Sequence, residues 1–164
     1  MNKRNLRLYN LIFPAWWLFY IYPMGWLFAL PANLVIDFLV LWLTMRWLKI
    51  ENRNKLCKES IFSVWFMGFV ADLAGAGLMF THIFFGWDWA NDFVLAVQYN
   101  PFLNIYGFIW VTICFTLSAA VIYIINRKIC LKRLPITDEQ KHKIALSLAV
   151  FTAPYLFYLP TVWS

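Results

Sequence analysis

The sequence predicts an all-α membrane protein built as a single bundle of five transmembrane helices. Its composition is 63% hydrophobic and 13% charged, whereas soluble proteins average roughly 45–50% and 25%. Apolar runs of twenty or more residues recur along the chain, and that length crosses the roughly 30 Å hydrocarbon core of a bilayer. All fourteen Lys and Arg residues fall in three short clusters separated by long apolar stretches. These observations together indicate a polytopic membrane protein with one domain, residues 1–164.

The three basic clusters predict the orientation of the chain in the bilayer. They consist of Lys3, Arg4 and Arg7; of Arg46, Lys49, Arg53, Lys55 and Lys58; and of Arg127, Lys128, Lys132, Arg133, Lys141 and Lys143. Cytoplasmic loops of membrane proteins carry an excess of Lys and Arg, so we expect all three clusters in the cytoplasm. Five spans satisfy this condition, with the N-terminus in the cytoplasm and the C-terminus outside. Basic loops at a bilayer surface account for the net charge of +6, so no nucleic-acid partner is expected.

The first two predicted spans are residues 8–29 and 31–48. The first span carries two prolines that should kink it. We expect it to remain uncleaved, because its apolar stretch is too long for a signal peptide and no small-residue cleavage site ends it. Leu30 and Pro31 are expected to make a tight outer turn. Pro31 then suits the first turn of the second helix, where its missing N–H would have no partner in any case.

The remaining three spans are predicted at residues 60–83, 102–126 and 144–163. The outer loop at 86–100 is long enough to form a short helix at the membrane surface. The sequence Thr137-Asp-Glu-Gln140 matches the capping-box pattern, in which a Ser or Thr and a Glu or Gln three residues later satisfy the first amides of a helix. It therefore predicts a helix start before the last span.

Two acidic residues, Asp37 and Asp72, lie inside predicted spans. A charged residue at the centre of a span costs about 2.5–3.5 kcal/mol on insertion scales and is a candidate functional residue by default. Each lies about eleven residues from the cytoplasmic end of its helix, which is about 16 Å at 1.5 Å per residue. No Lys or Arg lies at that depth. We therefore expect at least one carboxyl group to be protonated, or the pair to share a proton or a cation.

Neighbouring polar and small residues support a site at this depth. Asn33, Asp37 and Thr44 follow helical spacing and form one polar stripe on the second span. On the third span the small residues that would allow close helix approach are Gly68, Ala71, Gly75 and Ala76. Three interpretations of the carboxyl groups remain open. They bind a proton or cation, they act as hydrogen-bonding glue between helices, or they form a contact between subunits.

Aromatic residues are concentrated in the predicted outer half of the bundle. Those singled out are Tyr22, Trp26, Trp87, Trp89, Tyr155 and Tyr158. An aromatic belt at the membrane interface explains such a distribution. The alternative is an aromatic outer vestibule, which would favour cations because ring faces attract positive charge.

The sequence gives little support to enzymes and metalloproteins. Cys57, Cys114 and Cys130 form no CxxC pair, and His82 and His142 form no HxxxH pair. Nothing resembles a nucleophile with its base, a phosphate-binding loop or a zinc motif. We therefore expect no metal, no cofactor and no catalytic residue.

The leading functional interpretation is a small membrane binding or transport protein for a proton or cation, including a cationic organic solute. Asp37 and Asp72 would form its site, with Asn33 and Thr44 in support. The alternative is an accessory or assembly subunit of a larger membrane complex, in which the two carboxyl groups are glue. The expected partners are the lipid bilayer and either further copies of this chain or another membrane protein. The expected location is the cell membrane, as a multi-pass protein of the bacterial cytoplasmic membrane.

Overall fold

The computed structural model describes residues 23–81 and 91–160, and in those ranges the chain is helical without any strand. The helices are α1 Pro23–Trp47, α2 Arg53–Phe80, α3 Asn91–Tyr99, α4 Ile105–Ile125 and α5 Asp138–Phe151. Short 3-10 turns form at Pro101–Leu103 and Tyr155–Tyr158, and a π-helical turn extends α4 over Asn126–Cys130. Helices α1, α2 and α4 are long and apolar enough to cross a membrane. The predicted all-α class with membrane-crossing helices is confirmed at that level.

The surface of the long helices is apolar, and several polar side chains are buried. Phe62 on α2 is 71% exposed, and large hydrophobic residues also face outward on α1 and α4. Asp37, Ser60 and Asn126, in contrast, are almost fully buried. A soluble protein shows the opposite tendency for such polar groups. The distribution fits helices whose outer faces contact lipid.

Helix α1 continues through Pro31, so the tight turn predicted at Leu30 and Pro31 is wrong. The boundary that separated span 8–29 from span 31–48 is absent, because a single helix runs over Pro23–Trp47. A proline in such a helix is tolerated when neighbouring groups satisfy the backbone atoms near it. Here the indole N–H of Trp65 on α2 donates to the carbonyl oxygen of Leu30 at 3.1 Å. A separate first span would have to come from residues before Pro23, which lie outside the described part.

Helix α5 begins earlier and ends much earlier than the predicted span 144–163. The capping box is present, since Thr137 accepts from the amide of Gln140 and the side chain of Gln140 accepts from the amide of Thr137. The helix contains 14 residues, or about 21 Å. It stops because Pro154 has no N–H and disfavours helical geometry in the residue before it. The α-helical part of the predicted span therefore ends at Phe151, and a 3-10 turn follows at Tyr155–Tyr158.

The bundle is held together by close contact between α2 and α4. The hydroxyl of Ser118 on α4 donates to the carbonyl oxygen of Ala71 on α2 at 3.3 Å. Gly75 lies directly beneath Ser118, and a Cβ at this glycine would collide with the Ser118 hydroxyl and lie 3.0 Å from the carbonyl oxygen of Cys114. Helix α1 packs against α2 and α5. Helices α1, α2, α4 and α5 thus share one apolar core around Leu41, Val64 and Leu148.

The second and third basic clusters lie at the same end of the bundle. The turn from α1 to α2 and the segment that leads into α5 line a common surface cavity of about 430 Å³, with Glu51 on one side and Gln140 on the other. Arg127 donates both to the hydroxyl of Tyr123 at 2.8 Å and to the carboxylate of Asp138 at 3.1 Å, which ties α4 to the start of α5. We call this the basic end of the bundle.

We predict that Gly75→Ala destabilises the protein by about 1–3 kcal/mol, because the added methyl overpacks the α2–α4 contact. The measurement is the midpoint of thermal unfolding of the purified protein in detergent. Gly77→Ala is the matched control, since a Cβ there meets nothing within 4 Å. It should be neutral or slightly stabilising, because Ala is the better helix former. If both variants unfold alike, the described α2–α4 contact is incorrect.

Candidate functional site

Asp37 lies on the face of α1 that packs against α2, and only 2% of it is exposed. Its neighbour across the interface is Gly68, which has no side chain to fill the space between the helices. A Cβ at Gly68 would lie 3.7 Å from Oδ2 of Asp37, at ordinary van der Waals distance. Gly68 therefore leaves a small opening beside the carboxyl group.

Asp72 follows Gly68 by one helical turn on α2. Its carboxyl group lies within electrostatic range of the Asp37 carboxyl group across the α1–α2 interface. Oδ2 of Asp37 and Oδ1 of Asp72 are both buried, and neither has a hydrogen-bond partner among the described residues. A buried polar atom without a partner normally costs about 1–3 kcal/mol. Each of the two carboxyl groups therefore has one oxygen that carries a cost of this kind.

The end of α5 supplies the third polar group of the site. Thr152 follows the last residue of α5, and its hydroxyl donates to the carbonyl oxygen of Leu148 at 2.8 Å. The same hydroxyl lies within hydrogen-bonding reach of the Asp37 carboxyl group. A helix C-terminus carries a partial negative charge from its free carbonyl groups. The Asp37 carboxyl group therefore interacts both with the C-terminal end of α5 and with the Asp72 carboxyl group.

No positive charge lies near this place in residues 23–81 and 91–160. Arg46 is the nearest basic residue on α1, nine positions or about 13.5 Å beyond Asp37. Lys58 is the nearest on α2, fourteen positions or about 21 Å before Asp72. The ion pairs formed within these ranges all lie at the basic end and involve neither carboxyl group. The site therefore has no counter-charge from the described protein.

The structure separates the other residues that the sequence grouped with this site. Asn33 lies one turn before Asp37 on α1 and is half-buried, whereas Thr44 is buried two turns further toward the basic end. Of the four small residues predicted for packing, Gly68 faces Asp37. Ala71 and Gly75 contact α4 instead. The fourth, Ala76, packs in the second apolar cluster of the bundle.

The two described tyrosines of the predicted vestibule pack on α4. The hydroxyl of Tyr158 donates to Thr112 at 3.0 Å, and its ring lies 5.4 Å from that of Phe115. The hydroxyl of Tyr155 donates to the carbonyl oxygen of Val150. Both hydroxyls are therefore used within the bundle. The side chains of Tyr22, Trp26, Trp87 and Trp89 lie outside the described residues.

Thr152 was not predicted as a site residue. Its contact with Asp37 depends on the packing of α5 against α1, which no local pattern reveals. The signal that could have indicated it is Pro154, because a proline two residues later marks a helix end, and a helix end inside an apolar segment exposes polar groups that need partners.

The described residues contain no group of three or more His, Cys, Asp and Glu side chains that could hold a metal ion. Cys57, Cys114 and Cys130 are buried free thiols. Divalent calcium usually takes six to eight oxygen ligands, which two carboxyl groups and one hydroxyl do not supply. The arrangement is better suited to a proton, a monovalent cation or an ammonium group.

Comparisons of the chain with protein-family models, with curated proteins and with solved structures find no match. Function is therefore argued from the geometry of the site.

We predict that Thr152→Val destabilises the protein by about 1–3 kcal/mol, because the Asp37 carboxyl group loses a hydrogen-bond partner without a change in side-chain size. Thr116→Val is the matched control. The Thr116 hydroxyl makes the same bond to the carbonyl oxygen four residues earlier, at 2.7 Å, but Thr116 lies on the exposed face of α4. Thermal unfolding of the two variants should differ. Equal losses would mean that Thr152 contributes only its bond to Leu148.

Proposed function

We propose that this chain is a small integral membrane protein that binds a proton or cation between Asp37 and Asp72 and moves it across the bilayer. The observation that carries the proposal is the buried Oδ2 of Asp37, which has no partner in the described protein and lies within electrostatic range of a second carboxyl group. A cationic organic solute with an ammonium group is included among the candidate ligands.

Electrostatics supports a positively charged ligand. Two carboxylates that share a buried site repel each other, and a low-dielectric surrounding strengthens that repulsion. A proton on one carboxyl group, or a cation between the two, removes it. Since no basic residue of the described protein reaches Asp37 or Asp72, the compensating charge has to come from outside these residues.

The hydrogen bonding of Thr152 supports reversible binding of a proton at Asp37. The Thr152 hydroxyl has one hydrogen, and it donates to Leu148. In that state the Thr152 oxygen can only accept, so a hydrogen bond with Asp37 requires a protonated carboxyl group. When Asp37 is ionised, the hydroxyl can rotate and donate to it instead. The site thus has a favourable hydrogen-bond arrangement for each protonation state of Asp37.

The end of α5 beside the carboxyl groups also supports transport. Helices that stop within the bilayer are common at the binding sites of secondary transporters, where their C-terminal carbonyl groups help to bind cations. Non-helical backbone at membrane depth is tolerated where protein or a cavity surrounds it. The segment after α5 meets this condition, since Ala153 and Phe157 are buried.

We further propose that the basic end faces the cytoplasm of a bacterial cell and that the chain works as a homo-oligomer.

We predict that Asp37→Asn and Asp72→Asn preserve folding but remove the dependence of thermal stability on cations and pH. Asn has nearly the same shape as a protonated Asp, so the bundle should remain intact. Unfolding midpoints of the wild type are measured across pH with Na⁺, K⁺ and organic ammonium ions. A ligand of the folded state at a hundredfold excess over Kd stabilises by about 2.7 kcal/mol. The double variant should be no worse than either single variant, because both carboxyl groups act on one ligand.

Asp92→Asn is the control for this experiment, because Asp92 is an exposed carboxylate in the first turn of α3. It should respond to cations like the wild type. If the wild type and both site variants respond alike to every condition, the carboxyl groups are interhelical glue. The alternative of an accessory subunit would then account better for the molecule.

We predict that cysteine probes at the basic end react only from the cytoplasmic side. Glu51→Cys and Arg133→Cys are suitable positions because both residues are exposed, and Asp92→Cys should react from the outside. The background lacks Cys57, Cys114 and Cys130. Labelling of intact cells with a membrane-impermeant maleimide makes the distinction. Reaction of Glu51→Cys in intact cells would contradict the proposed orientation.

A further inference from the structure

Two arginines at the basic end are arranged around one tryptophan. The guanidinium carbon of Arg46 lies 5.4 Å from the centre of the Trp42 ring, and that of Arg53 lies 5.5 Å from it. Arg46 follows Trp42 by one turn on α1, whereas Arg53 is the first residue of α2. The indole N–H of Trp42 donates to the side chain of Asn54 at 3.0 Å, which fixes the ring between the two helices. Contact between a guanidinium group and an aromatic face holds each arginine in place.

Neither arginine is neutralised by a carboxylate of the described protein. The ion pairs that form there use Lys55, Arg127 and Lys143. Nε of Arg53 is buried and has no hydrogen-bond partner in the same part of the chain. Each guanidinium group has five N–H donors in a rigid plane, a geometry that matches phosphate oxygens. The terminal N–H groups of the two arginines, which form none of these ion pairs, therefore remain available for an anion.

The start of α2 adds to the attraction. Its first turn contains no acidic residue, and the side chain of Asn52 does not cap the first amides. The N-terminus of a helix carries a partial positive charge and free N–H groups, which favour anions. In most helices an acidic or capping side chain accepts hydrogen bonds from these first N–H groups. Here the first residue is Arg53 itself, so no acidic side chain of the first turn offsets the positive end of this helix.

We propose that Trp42, Arg46 and Arg53 form a binding site for the phosphate group of an anionic phospholipid. The location favours a lipid over a free anion. The site lies where α1 ends and α2 begins, both helices are long and apolar enough to cross a membrane, and the phosphate layer of a bilayer lies at such helix ends. Tryptophan is also enriched at this depth because its ring is apolar and its N–H is polar. The site is separate from the carboxyl pair, since Arg46 lies nine positions or about 13.5 Å beyond Asp37 along α1.

The test measures thermal unfolding of the detergent-purified protein with added lipid. Phosphatidylglycerol should raise the unfolding midpoint of the wild type by several degrees, and the same amount of phosphatidylcholine should not. Arg46→Lys and Arg53→Lys keep the charge but lose the planar guanidinium group. Each should lose at least half of the shift caused by phosphatidylglycerol. Lys58→Gln removes one exposed positive charge from the same end of α2 and should keep the full shift.

Several outcomes would overturn the proposal. If the two Lys variants keep the full shift, or if Lys58→Gln loses as much as they do, the effect is general attraction between the basic end and anionic lipid. If millimolar inorganic phosphate reproduces the shift and abolishes the response to phosphatidylglycerol, the ligand is a soluble anion. Trp42→Phe provides a second variant should an arginine variant fail to fold. It keeps an aromatic face but loses the bond to Asn54, and it should weaken the response to phosphatidylglycerol.

Discussion

A polar group inside a membrane protein has no water to bond with, and the described part of this bundle is organised around that constraint. The buried hydroxyl groups of Ser60 and Ser118 both donate to backbone carbonyl oxygens. Ser60 donates to the carbonyl oxygen of Leu56 one turn earlier, at 2.8 Å, and Ser118 uses its hydroxyl to join α4 to α2. A backbone group near a proline also has a side-chain partner, since the indole N–H of Trp65 donates to the carbonyl oxygen of Leu30. Such bonds fix which helices can be neighbours.

Asp37 and Asp72 do not follow this pattern. The bundle supplies hydroxyl and amide partners at many other positions but leaves one oxygen of each carboxyl group without any. Replacement by apolar residues of similar volume would often be neutral or stabilising for a bundle. A pair of carboxyl groups therefore has to contribute something other than stability, and a bound positive ligand is the simplest contribution. The unsatisfied atoms and the missing counter-charge then have the same explanation.

The sequence predicted those properties that depend on local composition. Apolar runs predicted long helices, and Thr137 with Gln140 predicted the start of α5, because capping involves residues only three positions apart. It failed where the outcome depends on distant residues. Leu30 and Pro31 were expected to form a turn between two helices, but one helix continues through them beside Trp65, which is 34 positions after Pro31 in the chain. Asp37 and Asp72 were recognisable as costly residues, whereas the contribution of Thr152 could not be predicted because it requires α5 to stop beside α1.

The two glycines of α2 that face other helices differ in how much freedom they leave for change. Gly75 leaves no room for a larger residue, because α4 lies so close that even a methyl group does not fit. Gly68 leaves room for a methyl group, which would lie at ordinary contact distance from Asp37. The α2–α4 contact can thus stay constant while residue 68 varies among small side chains. Substitution of residue 68 alone could consequently change the volume of the space beside Asp37 in the course of evolution, without any change in how the helices pack.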